Sequence, residues 1–382
     1  MRFTWLAALA LTACSHAPLP PAAIAAPTGP AAFSFAQDAA ALDRVFDVAD
    51  TNHDGRLSPA ELGVEPVRFH QLDRNGDGAV GRQEWDTDAP PGTPTWARGA
   101  LAAYLDATSK LALQRVIHPK HVPLVGVPPW PYQDLRFQAA DGVGLRGWYV
   151  PATGVATRNT VVLVHGHASN RAGWLADGQA GMLHPAYNLV MLDLRNNGES
   201  EGDTTTFGWK EALDVRAAVD WCYAQGHDRV VLMGVSMGAA TVIRAASQDP
   251  RPLAVVEDSS YAVLSTAVAG FVGTAMVPAP TLIAAATLVR ATKELGQDLA
   301  AFDPVTEVAA LAPRPLLLLH GAADPVIPSD AAKILDVAAG AAVPHHVVLF
   351  SGAGHGQSAV AHPAQYREAL LAFLTSAFSP AD

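Results

Sequence analysis

RVVLMGVSMGAATVIRAA, Arg229 to Ala246, is the stretch on which the fold turns. Its first seven residues form an apolar run of the kind buried inside a parallel sheet, and AATVIRAA reads as a helix. Between them stand Gly234-Val235-Ser236-Met237-Gly238. A G-x-S-x-G spacing between strand and helix marks a sharp turn that lifts the serine hydroxyl clear of the sheet. The helix that begins there points its N-terminal amides at developing negative charge. Ser236 is therefore expected to be a nucleophile.

A serine hydroxyl is a poor nucleophile without a base. In an open α/β sheet with such a turn, the partners follow in the order serine, acid, histidine. PLLLLHGAADPVIP places Asp324 just after an apolar run, and VVLFSGAGHGQS places His355 just after the last one. Both fall at carboxyl ends of strands, where such a sheet builds its site. His355 is expected to serve as general base and then acid, with Asp324 orienting it. Asp258, in VVEDSSY, also follows a strand and is the rival acid. His320 lies in an apolar strand end and is expected to pack there. The two oxyanion donors are expected to be the backbone N–H of Met237 and that of His167, in the loop that follows the apolar run of VVLVHGHASN. His165 is expected to be structural.

Outward from this site, LRGWYV, NTVVLVHG, NLVMLDLR, LAVVEDS and HHVVLF are further strand-like runs, alternating with amphipathic segments such as WKEALDVRAAVDWCYAQ. The pattern predicts a mostly parallel sheet with helices on both faces. From Ser259 to Val289 there is no charged residue, and Pro278 and Pro280 divide the stretch. A helical cap over the site, about 259–300, is expected, its apolar character suited to an acyl or aliphatic substrate. Half of the 382 residues are hydrophobic, 16% are charged, and the net charge is −11. No basic run appears, so no nucleic-acid footprint is expected. No dinucleotide fingerprint or phosphate loop appears either, so no organic cofactor is expected.

The N-terminal third carries different chemistry. DTNHDGRLSPAE places oxygen donors at Asp50, Asn52, Asp54 and Glu61, with Gly55 sixth; DRNGDGAVGRQE repeats this with Asp73, Asn75, Asp77, Gly78 and Glu84. Each fits the twelve-residue EF-hand calcium loop, whose seventh residue, here Arg56 or Ala79, gives a backbone carbonyl. A hard cation wants several oxygens, and the twelfth-position carboxylate closes the shell. Ser58-Pro59-Ala60-Glu61 is a capping box with proline at the first helical position, so a helix should start inside the first loop. Leu57 and Val80 should form a small strand pairing between the loops. Calcium is the expected ion.

Ahead of this unit, MRFTWLAALALTAC has one early positive charge and a short apolar run that fits a signal-peptide core. Its Leu11-Thr12-Ala13-Cys14 ending resembles the lipobox of bacterial lipoproteins, which implies lipidation of Cys14 and a lipid-anchored place in the cell envelope, with the outer membrane favoured. An Ala/Pro-rich tether follows. Cys222, the one other cysteine, reads as a small buried hydrophobe.

DGVGLRGWYVPA, VVLVHGHASNR, VMLDLRNNGESEG, GVSMGAAT, EDSSY, HGAADPVIP and GAGHGQS together resemble successive blocks of a bacterial α/β-hydrolase family that includes serine esterases, thioesterases and acyl-peptidase-like enzymes. The resemblance runs from about residue 120 to the end. It implies the α/β-hydrolase fold and a Ser-His-Asp triad, and it is vague about substrate. The expected organisation is signal peptide 1–14, tether 15–36, EF-hand pair 37–86, linker and helix 87–134, and hydrolase domain 135–382. The expected activity is cleavage of carboxylic esters or thioesters. A peptidase or amidase of the same fold, or a calcium-dependent envelope binding protein with an inactive hydrolase body, are the alternatives.

Overall fold

Two short strands, β1 (Arg56–Leu57) and β2 (Val80–Gly81), pair antiparallel with Leu57 opposite Val80. The main sheet contains β3 (Gln133–Gln138), β4 (Gly144–Val150), β5 (Asn159–Val164), β6 (Asn188–Asp193), β7 (Arg229–Val235), β8 (Ala254–Asp258), β9 (Leu316–Gly321) and β10 (His345–Phe350). In this computed structural model they lie in the order β10-β9-β8-β7-β5-β6-β4-β3. The run from β10 to β6 is parallel, and β4 and β3 add antiparallel edges. The structure describes residues 33–35, 37–63, 72–86, 98–154, 157–275 and 279–379. The expected signal peptide, Cys14 and nearly all of the tether lie outside the described residues.

The apolar strands have this form because both faces of the sheet are covered. Val162, Leu192, Leu232, Val255 and Leu318 enter one core, against helices Glu211–Ala224, Met237–Gln248 and Asp330–Ala339. Val161, Met191, Met233, Val256 and Leu319 alternate into the other, against Gln179–Leu183 and Pro363–Ala377. All ten are fully buried, each stabilising by ~1.5–3 kcal/mol. Cys222 is buried in the first core, as its setting in the sequence predicts. β3 escapes an apolar-run reading because it is an edge strand that buries only Leu135 fully.

The N-terminal unit and the hydrolase body form one compact unit from Ser34 onward. The join runs through the charge-free segment. That segment folds into helices Leu264–Gly273 and Pro280–Leu295, which pack on each other. The second helix also packs against Ala39–Ala49, Pro59–Leu62 and the long helix Arg98–Val116. Its Leu282 to Val289 run is buried without interruption. Arg290 reaches Asp106 at 2.8 Å, and Asp106 also accepts from Ser34 Oγ and the Phe35 N–H. Lys293 pairs with Asp38, and Arg44 with Asp298. Much of this apolar stretch thus packs between the N-terminal unit and the hydrolase body. The second helix spends its apolar side chains on the calcium-loop unit, because a helix covered all round must be apolar all round. Among the described residues, no helix is long and apolar enough to cross a membrane.

Candidate active site

The turn between β7 and helix Met237–Gln248 holds Ser236 at φ 55°, ψ −121°, an unfavourable region for a residue with a side chain. The surrounding glycines make this possible. A Cβ at Gly234 would lie 2.2 Å from the Gly238 carbonyl oxygen, and one at Gly238 would lie 2.1 Å from that of Val164. The Ser236 N–H donates to the Asp258 carbonyl at 2.8 Å, which ties the turn to β8.

His355 lies on the loop after β10. Its Nε2 is 2.8 Å from Ser236 Oγ, and its Nδ1 is 2.7 Å from Asp324 Oδ2. Since a carboxylate only accepts, Nδ1 carries the proton there, and Nε2 is left to accept from the hydroxyl. Asp324 follows β9. Its Oδ1 accepts the N–H groups of Val326 and Ile327 at 2.8 and 2.9 Å. Burial opposes its charge, but hydrogen bonds from His320 and His355 outweigh that and hold the carboxyl well below the usual range. The three predicted side chains, 88 and 31 residues apart in sequence, meet in one hydrogen-bonded line.

The rival acid is engaged elsewhere. Asp258 accepts from Tyr366 Oη and Ser259 Oγ at 2.9 Å each, and burial raises its pKa. Ser259 Oγ in turn accepts the Gly356 N–H, next to His355.

On the other side of Ser236, a Cβ on Gly166 would stand 3.2 Å from the serine Cβ, so the 165–167 loop lies against the turn. Met237 opens its helix, and a first-turn N–H has no carbonyl partner within the helix. The His167 ring bonds the Val116 carbonyl through Nε2 at 2.8 Å and stacks on Phe207 at 5.2 Å. Phe271, from the first cap helix, meets its edge at 5.8 Å. Burial lowers the His167 pKa, so the ring is neutral. His165 accepts the Leu194 N–H at Nε2 and donates from Nδ1 to the Gly166 carbonyl. It is a fully buried loop brace, as expected.

His320 differs from its expected packing role. It is fully buried, but its Nε2 lies 2.9 Å from the Ile327 carbonyl and 3.5 Å from Asp324 Oδ2. The aromatic neighbours Phe207 and Phe271 were also not signalled by any motif. Phe271 lies in the charge-free stretch, and Phe207 in the polar loop EGDTTTFGWK.

The two calcium-type loops are near copies. Asp50 accepts from the Asp54 and Gly55 amides, and Asp73 from those of Asp77 and Gly78. Gly55 and Gly78 take φ of 78° and 86°, which the sharp turn at the sixth position requires. The Ser58–Glu61 capping box is present. Among the described residues, no three acidic, histidine or cysteine side chains converge to form a metal-holding group. Glu61 and Glu84 bond the amides that begin their own loops, and the Arg56 guanidinium pairs with Asp77 of the other loop. The donor set is all oxygen at the predicted positions Asp50, Asn52, Asp54, Glu61, Asp73, Asn75, Asp77 and Glu84, with carbonyls of Arg56 and Ala79, and its chemistry fits calcium.

Residues 42–64 and 67–87 match the EF hand family model. The uncharacterized protein YfhR of Escherichia coli O157:H7 is 28% identical over 273 residues, 67% of this chain and 85% of that one. An uncharacterized protein of Mycobacterium tuberculosis strain H37Rv is 28% identical over 64% of this chain and 79% of its own. Among solved structures, an esterase of Pyrococcus furiosus superposes with a TM-score of 0.57 at 22% identity, over 68% of this chain and 98% of that one, and so shares its fold. The model described as the alpha/beta hydrolase family matches residues 161–369, more than half of the chain and all three residues of the serine–histidine–aspartate line. The chain belongs to the alpha/beta hydrolase family.

Proposed function

We propose that this protein is a serine hydrolase that cleaves carboxylic esters or thioesters through an acyl-enzyme. The observation that carries the reading is the unbroken line from Ser236 Oγ to His355 to Asp324, with contacts of 2.8 and 2.7 Å. Ser236 attacks the acyl carbon while His355 Nε2 takes its proton. Asp324 holds the ring in the Nδ1–H tautomer and balances the imidazolium. The amides of Met237 and His167 receive the oxyanion. His355 then returns the proton to the leaving alcohol or thiol, and the cycle repeats with water.

Labelling by a fluorophosphonate probe, absent in Ser236→Ala, tests the nucleophile; turnover should fall by about 10⁴–10⁶-fold. Labelling that survives Ser236→Ala sinks the proposal. Faster turnover of aminoacyl anilides than of p-nitrophenyl esters assigns the site to peptides instead.

Calcium belongs to the same proposal. Held by the two loops, it would supply positive charge that draws their carboxylates together and stiffens the unit seated on the cap. Lipidation of Cys14 and an envelope location complete it; incorporation of labelled palmitate, lost in Cys14→Ser, is the check.

A further inference from the structure

His167 enters the mechanism only through its backbone, yet its ring is gripped by three elements outside its own loop. Nε2 donates to the Val116 carbonyl at 2.8 Å; Val116 ends helix Arg98–Val116, where a carbonyl has no partner within the helix. The next carbonyl, that of Ile117, accepts the Thr205 N–H at 2.8 Å, so the same helix end also holds the loop that carries Phe207. Phe207 lies almost parallel to the ring, 13° between planes, and Phe271 of the first cap helix closes its edge. Three residues on, Asn170 is buried, and its Nδ2 donates to the Val122 carbonyl at 3.0 Å. The loop beside the nucleophile is thus pinned at both ends to one segment, 116–123, which runs ahead of the main sheet.

We infer that the His167 side chain is a positioning residue for the oxyanion. Its bond to Val116, with that of Asn170 to Val122, holds the 167–170 turn so that the His167 amide stays aimed at the reacting centre. The inference rests on the proposed serine-hydrolase reading.

Backbone strain shows why such a clamp is needed. Ala168, directly after His167, has φ 49°, and Phe207 has φ 52°, a region that residues with a side chain rarely adopt. Such conformations persist only where the surroundings impose them. Around Phe207 the restraints are explicit: Glu211 accepts the N–H groups of Thr206 and Gly208 at 2.7 and 2.8 Å, and Tyr261 Oη donates to the Phe207 carbonyl at 2.7 Å. Ala168 has only a methyl group, so its turn is held through its neighbours, by the His167 ring on one side and the Asn170 amide on the other. Gly166 already lies against Ser236, where an added Cβ would stand 3.2 Å from the serine Cβ, so a loop released from its pins can only move away from the serine. An oxyanion donor is effective when it is fixed before charge develops.

Two variants separate the bond from the bulk. His167→Leu keeps an apolar side chain against Phe207 and Phe271 but has no donor; His167→Gln carries an amide nitrogen that can reach the place of Nε2. On a p-nitrophenyl ester, His167→Leu should lower kcat by about 10–100-fold while KM moves by less than about threefold, the mark of an interaction made in the transition state. Affinity for a trifluoromethyl ketone, which presents an oxyanion to the same donors, should fall by a similar factor. His167→Gln should recover most of both losses. Equal losses in the two variants refute the bond to Val116 as the cause. A raised KM at unchanged kcat makes the ring a wall for substrate and refutes positioning, and so does a lower Tm with kcat unmoved. If His167→Leu fails to fold, Asn170→Ala, which removes the other pin, carries the same kinetic test. The ¹⁵N NMR spectrum of the ring is independent of turnover: the proton should sit on Nε2, and a proton on Nδ1 alone overturns the clamp. A ring protonated at Nε2 in a protein that turns over no ester sinks the proposed function and leaves the clamp standing.

Discussion

The first cap helix meets the active site at one point without clearance, and that contact makes a quantitative prediction. A Cβ on Gly270 would lie 1.8 Å from the Val326 carbonyl oxygen, where ordinary contact begins at 3.4 Å. Gly270→Ala must therefore open the contact by 3.4 − 1.8 = 1.6 Å. The Val326 N–H donates to Asp324 Oδ1 at 2.8 Å, so a displaced Val326 drags the acid. Misplacing a catalytic group by ~1 Å costs ~10²-fold in rate. Overpacking costs about 1–3 kcal/mol, offset by about 0.5–1 kcal/mol from replacing a helical glycine. The expected result is a 10–100-fold fall in kcat/KM on a p-nitrophenyl ester, with a loss of about 1–2 kcal/mol, or a few degrees in Tm. Gly273→Ala, one turn on in the same helix, is the control. There, among the described residues, the new Cβ would meet Pro280 alone, its Cβ at 3.8 Å and its Cγ at 4.0 Å, ordinary contacts. It should keep full activity and gain up to about 1 kcal/mol. If the two alanine variants behave alike in rate and in melting, the argument from the Val326 contact is wrong.

Further predictions follow from the same structure. Asp324→Asn should fold and lose about 10³–10⁴-fold in kcat, because the imidazole loses its tautomer and its counter-charge. Because the Asp324 carboxyl is held low in the folded state, its stabilising contribution is present above ~4, the unfolded value, and is lost as pH falls below it. Urea midpoints between pH 2 and 5 should accordingly be flatter for Asp324→Asn than for wild type. Asp303 behaves with the opposite sign. Burial raises it to about 6 while it accepts the Leu264 N–H at the start of the cap helix, so folding loses stability as pH rises from ~4 through that value. Asp303→Asn, which keeps the acceptor, should recover on the order of 1–2 kcal/mol at pH 8 and none at pH 4. Adding calcium should raise Tm and slow proteolysis of the N-terminal unit; Glu61→Gln with Glu84→Gln should abolish both effects, and an equal response in that double variant would refute calcium holding at these loops.

The parts legible in the sequence were those encoded by local spacing at the ends of apolar runs. Ser236 stands between two glycines at a strand end, and Asp324 and His355 follow two later strands; topology alone brings such ends to one rim. The twin loops were legible for a similar reason: their donors lie within twelve residues of one another. What escaped the sequence depends on contacts between distant elements. His320 sits in LLLLHG and looks like any core residue until the turn brings Asp324 back onto its ring. Periodicity could not separate a cap that faces substrate from one that faces another module, since both demand apolar residues. β3 was hidden because an edge strand has no apolar run to display.

That second cap helix has consequences for access. A lid that hinges open needs one face that can part from its neighbours at small cost. Residues Leu282 to Val289 are instead sandwiched between the first cap helix and the helices of the amino-terminal unit, and Arg290 and Lys293 rivet the far end. Lifting this roof would mean tearing the house from its porch. In the proposed hydrolase, substrate would therefore meet a fixed helix and not a hinged lid, with Phe271 and Phe207 held in place against the His167 ring.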